Sequence, residues 1–88
     1  MRVVWSARSL RDIEEIYAYV AADKPEAARR LAERLLSAGD ELVSHPSLGR
    51  VARQGGLREL IVDKYLLVYR VRDLVEIVTV VHGARKRR

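Results

Sequence analysis

The chain has 88 residues, 49% of them apolar, which is enough for one domain with one small core and too little for two. It has no Cys, which excludes disulfides and a thiolate nucleophile and removes the commonest structural zinc ligand. Seventeen Lys and Arg against twelve Asp and Glu give a net charge of +5, and no apolar run approaches membrane-spanning length.

In chain order, Arg2 to Trp5 reads as a short strand. Its apolar run stops at Ser6, too early for a secretory signal, so a soluble cytoplasmic protein is expected. Ser6 or Ser9 can cap the following segment, because a Ser hydroxyl accepts from the exposed N–H groups of a first helical turn; Asp12 stands three residues after Ser9, close to a capping box. From Ala7 to Ala22 the residues Leu10, Ile13, Ile16, Tyr17 and Val20 recur at helical spacing, with Arg11, Glu14 and Glu15 on the other side. Asp23-Lys24-Pro25 ends that helix, since Pro25 biases Lys24 away from helical geometry and suits the first turn of a new helix. The second helix runs to Ser44 on a stripe of Ala28, Leu31, Leu35, Ala38, Leu42 and Val43. Gly39 lies inside it, at a cost of about 1 kcal/mol relative to Ala, and is a point where the helix is expected to be weak. Pro46 and Gly49 then mark a turn, and Val51 to Gly55 is a basic link.

From Gly56 onward, three apolar runs rich in β-branched residues and Tyr are separated by the polar pairs Asp63-Lys64 and Arg72-Asp73, the pattern of an antiparallel meander. The expected fold is α+β, ordered β-α-α-β-β-β: a helical hairpin packed on a mainly antiparallel sheet of about four strands, in one domain covering residues 1–88. Alternation along the middle strand puts Tyr65, Leu67, Tyr69 and Val71 on one face and Leu66, Val68 and Arg70 on the other. The helices are expected to cover one face. The other is expected to hold a partly apolar groove fringed by Arg58, Arg70 and Arg85, the kind of patch that marks a partner site.

Charge is unevenly spread. Residues 1–44 carry seven basic and eight acidic side chains, residues 45–88 ten basic and four acidic. Four of those ten, Arg85, Lys86, Arg87 and Arg88, form a basic C-terminal tail. It reads either as a solvated terminus or as an attraction for nucleic acid or an acidic protein. His45 precedes Pro46 in a loop and reads as a surface residue. His82 stands where the last strand ends, beside Arg85; it reads either as a general acid or base near a phosphate or as a hydrogen-bonded structural residue. Arg58 and Arg70, inside strands, each require a carboxylate, a phosphate or solvent, and Glu59 and Glu76 are the available cross-strand carboxylates. No metal-ligand spacing, phosphate-binding Gly loop or dinucleotide fingerprint occurs, so no metal or cofactor is expected.

Nearly the whole chain resembles the RelE/ParE superfamily of toxins from bacterial type II toxin–antitoxin modules. The resemblance is carried by Trp5-Ser6-Ala7, the helix from Leu10 to Tyr19, Pro46-Ser47-Leu48-Gly49-Arg50, Gly56-Leu57-Arg58-Glu59-Leu60, Tyr65-Leu66-Leu67-Val68-Tyr69-Arg70-Val71, and Val80-Val81-His82-Gly83-Ala84-Arg85. It implies a cognate antitoxin partner in a hetero-oligomeric complex. RelE-like members look like ribonucleases that cut mRNA on the ribosome and place a basic residue second in the Tyr-x-Leu-Val-Tyr strand, where this chain has Leu66. ParE-like members, which poison DNA gyrase by binding it, resemble this chain in Tyr-Leu-Leu-Val-Tyr-Arg-Val and His-Gly-Ala-Arg. The resemblance therefore implies a ParE-like toxin whose target-binding surface includes Arg58, Arg70, His82, Arg85, Lys86, Arg87 and Arg88, with Leu66, Val68 and Arg70 toward the antitoxin. The alternative, a RelE-like ribonuclease, makes His82 the proton donor or acceptor and Arg58 and Arg85 the phosphate clamps.

Overall fold

The structure, a computed structural model, describes residues 1–53 and 55–86, with only the backbone described at 85 and 86. The elements are β1 (Val3–Trp5), α1 (Ala7–Ala21), α2 (Pro25–Ser44), β2 (Arg50–Val51), β3 (Arg58–Val62), β4 (Tyr65–Val71), β5 (Val75–His82) and α3 (Gly83–Lys86). They form one five-stranded sheet in the order β1-β5-β4-β3-β2, with the α1–α2 hairpin packed on one face. The meander β3-β4-β5 is antiparallel, while β1 lies parallel to β5, Val4 opposite Glu76. The fifth strand, β2, comes from the stretch that reads in sequence as a turn and link. Its two residues pair with Glu59 and Arg58.

The helices form where the apolar stripes predict. Ser6 is the N-cap of α1, its hydroxyl oxygen accepting from the Ser9 N–H at 3.0 Å. Asp12 does not complete a box with Ser9. Its carboxylate crosses to the sheet, accepting from Thr79 Oγ1 at 2.6 Å and from the Val80 N–H at 2.9 Å. Pro25 stands in the first turn of α2, and α2 runs through Gly39 without a break. Glycine is required there by the neighbour rather than by the backbone: a Cβ at 39 would come within 2.4 Å of the Trp5 ring. The missing side chain leaves room for the Trp5 indole against the helix and so ties β1 to α2.

The core lies between the hairpin and one sheet face. Leu35, Leu42, Leu67, Tyr69, Val75 and Ile77 have no solvent exposure, and Tyr65 and Val71 pack against the same cluster, so the predicted inward row of β4 is the row that meets the helices. Tyr69 also fixes the loop after α2. Its hydroxyl donates to the Pro46 carbonyl at 2.7 Å and accepts from the Gly49 N–H at 2.9 Å, and a Cβ on Gly49 would collide with the Tyr69 ring and the Glu59 carbonyl at 2.8 Å. That tether delivers Arg50 and Val51 to the edge of β3, which is why β2 exists. The turn Asp63-Lys64 has two residues, as expected, with Asp63 at φ 57°. The next turn has three, because Leu74 joins it and its carbonyl accepts from the Arg72 N–H.

Candidate functional site

Cross-strand register decides which side chains share a surface, since directly opposed residues point to the same face. Arg58 is opposite Tyr69, so it belongs to the helix-covered face, at its margin. Arg70 is opposite Glu76, on the helix-free face. The two arginines that the sequence groups along one groove therefore lie on opposite sides of the sheet. Arg58 donates to the Gly49 carbonyl at 2.7 Å rather than to Glu59. Glu59 instead accepts from Arg50 across β2–β3, at 3.2 and 3.3 Å. Arg70 takes the partner that the sequence offers it, donating twice to Glu76 Oε1 at 2.8 and 3.0 Å.

The helix-free face is thus a short apolar strip between two ion pairs. Leu66 and Val68 are each 5% exposed and stand outside the cluster that packs on the α1–α2 hairpin, and Arg70 and Glu76 stand half-open beside them, both at 37%. Ile61, opposite Leu66, is an open apolar residue of this face. The backbone of Arg85 and Lys86 lies in α3. Their side chains, and all of Arg87 and Arg88, lie outside the described residues.

His82 belongs to a different surface. It is opposite Tyr65, the two rings meeting edge to face with centroids 5.3 Å apart, and its Nδ1 accepts from the Ala84 N–H at 3.1 Å. The imidazole therefore holds the start of α3. Both rings line a cleft of about 910 Å³ between the exposed flank of α1 and the far end of β5, floored by Ile16, Val20, Leu31 and Val80. Arg8, Asp12, Glu15 and Lys64 stand at its rim. Sequence reasoning finds its residues singly and misses the cleft, because it arises from a mismatch in strand length: β1 stops at Trp5 while β5 runs on from Ile77 to His82. Positions 8, 12, 15, 16, 19 and 20 lie on one face of α1 by helical spacing, and that stripe is the only trace in the sequence.

His82 and Arg58 are not brought together. Their cross-strand partners, Tyr65 and Tyr69, are four residues apart on β4, about 13 Å at the usual rise of an extended chain. Among the described residues no group of three or more His, Asp or Glu side chains is placed to hold a metal ion, and no helix is long and apolar enough to cross a membrane.

The fold is that of chains in solved toxin–antitoxin systems. The chromosomal ParDE TA system from P. aeruginosa contains a chain that superimposes with a TM-score of 0.84 at 20% identity, covering 93% of this chain and 95% of that one. The toxin–antitoxin complex RelBE2 from Mycobacterium tuberculosis gives a TM-score of 0.70 at 22% identity, covering 92% and 95%. The sequence model of the family described as "ParE toxin of type II toxin-antitoxin system, parDE" matches residues 3–87. The chain belongs to the ParE toxin family. Two curated relatives agree: a protein named putative toxin Y4kP from Sinorhizobium fredii is 41% identical over 93% of this chain and 88% of its own length, and one named toxin RelE2 from Caulobacter vibrioides is 44% identical over 96% and 97%. This ParE-family chain is thus a toxin of a type II toxin–antitoxin system within the RelE/ParE superfamily. One relative is named for RelE, while the family model and one structural neighbour are named for ParE.

Proposed function

We propose that the chain halts growth by binding DNA gyrase in the cytoplasm, and that a cognate antitoxin neutralises it in a hetero-oligomeric complex. The observation that carries this reading is the separation of the ribonuclease set: His82 is about four strand residues from Arg58 and serves α3, while Arg58 is spent on the Gly49 carbonyl. General acid–base cleavage of RNA needs a proton-transfer group and a cationic clamp converging on one phosphate. Leu66, where ribonuclease branches carry a cation, is buried, which supports the same conclusion. Binding asks only for a surface. In this reading Arg70, beside Leu66 and Val68, is the cation of the helix-free face, and it serves target and antitoxin in turn. Arg58, His82 and the basic residues Arg85 to Arg88 extend contact around the edge of the sheet.

A second reading, ribosome-dependent mRNA cleavage, draws support from the 44% identity to the relative named toxin RelE2 and from His82 opening on a polar-rimmed cleft. Inducing the chain in growing cells separates the two. The proposal expects thymidine incorporation to stop first, with amino-acid incorporation following later; prompt arrest of translation with continued replication supports the ribonuclease.

A further inference from the structure

The last strand passes into α3 through two hydrogen bonds to acceptors outside that helix. The Gly83 N–H donates to the Lys64 carbonyl at 2.8 Å, and the Ala84 N–H donates to Nδ1 of His82 at 3.1 Å. The first N–H groups of any helix lack partners within it. With 4 residues, α3 is also too short to persist on its own helical bonds. Ala84 is exposed and adds no apolar anchor. The start of α3 therefore depends on one backbone acceptor and one side-chain acceptor, and the second of these is an imidazole.

Nδ1 of His82 stands as many bonds from its own backbone as Oδ1 of an Asn does, and it meets the N–H two residues further on, the contact that defines an Asx turn. An amide oxygen accepts at every pH. A histidine nitrogen accepts only while it carries no hydrogen: in the neutral ring bonded to Ala84 the proton is on Nε2, and in the imidazolium both nitrogens are donors. Turning the ring over then supplies no acceptor, because neither nitrogen has a lone pair to offer. Tyr65, edge to face across the β4–β5 pair, packs against the ring from the sheet side.

We propose that His82 is a positioning residue that latches α3 while its ring is neutral and releases it when the ring is protonated. Histidine is the side chain whose charge changes under mildly acidic conditions, so α3 is ordered on the alkaline side of that change and freed on the acid side. The groups facing the imidazole are Asp63, Lys64 and Tyr65 on the sheet side and Arg8, Asp12, Glu15 and Tyr19 of α1 across the cleft. Asp63 is paired with Arg34, and Asp12 with Arg8, Thr79 and the Val80 N–H. Among the described residues no carboxylate forms an ion pair with His82, so none holds the imidazolium where the neutral ring stands. Because α3 carries the backbone of Arg85 and Lys86, the charge on His82 decides whether these two basic residues leave the sheet in a fixed direction.

The latch belongs to the free chain and depends neither on the target nor on the antitoxin. Its test is NMR of the full isotope-labelled chain, titrated from about pH 8 to about pH 5. The Ala84 amide is expected to shift with the same midpoint as the His82 ring. The helical carbon shifts of residues 84–86 should fall by about half or more on the acid side, while those of Val75 to Val81 stay constant. His82→Asn keeps an acceptor that no proton removes, so in that variant α3 should stay helical at both ends of the titration. His82→Ala supplies no acceptor, and α3 should be lost at both. Shifts at 84–86 that stay constant while the imidazole titrates overturn the proposal, as does an α3 that survives in the Ala variant. An Asn variant without α3 at acid pH, or a loss of structure that spreads from 84–86 into β5, also overturns it.

Discussion

The two faces of the sheet are built from alternate residues of the same strands, yet they do different work. On the helix side, β4 contributes Leu67 and Tyr69, both without solvent exposure, and Tyr69 spends its hydroxyl on two backbone groups of the 46–49 loop. On the other side it contributes Leu66, Val68 and Arg70, where packing is completed by neighbouring side chains and by the half-exposed Arg70–Glu76 pair. One face carries stability. The other, where Leu66 and Val68 are also buried, is the face that the proposed function assigns to recognition. Domains this small have few kcal/mol to spare, so substitutions at the half-exposed Arg70–Glu76 pair are the ones this face should tolerate best.

Substitutions should break that comparison in order of size. Leu35→Ala, at a site with no exposure, should cost about 2–5 kcal/mol in urea unfolding, because the cavity opens where helix and sheet meet. Gly39→Ala is the sharper test of the α2–β1 contact. Helix propensity alone favours Ala by about 1 kcal/mol, but the Trp5 ring occupies the space, so the expected outcome is a net loss of about 1–3 kcal/mol. A gain would show that Trp5 moves aside freely. Asp12→Ala removes the two hydrogen bonds to β5 and the exposed pair with Arg8, and leaves the Val80 N–H unmatched next to the core, for an expected loss of about 1–3 kcal/mol by the same unfolding measurement. Smallest is Arg70→Ala on the recognition face, where a half-exposed ion pair contributes no more than about 1 kcal/mol. Its effect should appear instead as a tenfold or greater loss of gyrase inhibition at nearly unchanged stability.

Most of the helix-covered face was readable in the sequence. The stripe of α2, the alternation of β4 and the two-residue turn at Asp63-Lys64 are local patterns, and the structure repeats them; of the α1 stripe only Ile13, Ile16 and Val20 reach the core, while Leu10 and Tyr17 stand exposed. What escaped is set by relations between distant segments. β2 is two residues long and forms because Tyr69 holds the loop before it, a contact spanning twenty residues that leaves no periodic signal. Arg58 and Arg70 look alike in sequence as strand arginines. Only the pairing of β3 with β4 and of β4 with β5 reveals that they face opposite ways. Asp12 sits where a capping residue is expected, yet its partners are on β5, 67 and 68 residues away. The α1 cleft follows from one strand ending before its neighbour does, and relative strand length across a parallel pair is invisible without the register.

The central claim is that this sheet grips a macromolecule and does not cut one. Its most direct test is supercoiling of relaxed plasmid by purified gyrase with increasing amounts of the purified chain. The account predicts that supercoiling falls to background as the chain approaches stoichiometric excess and returns when Arg70→Ala replaces it at the same concentration. Undiminished supercoiling at a large excess of folded chain would contradict it.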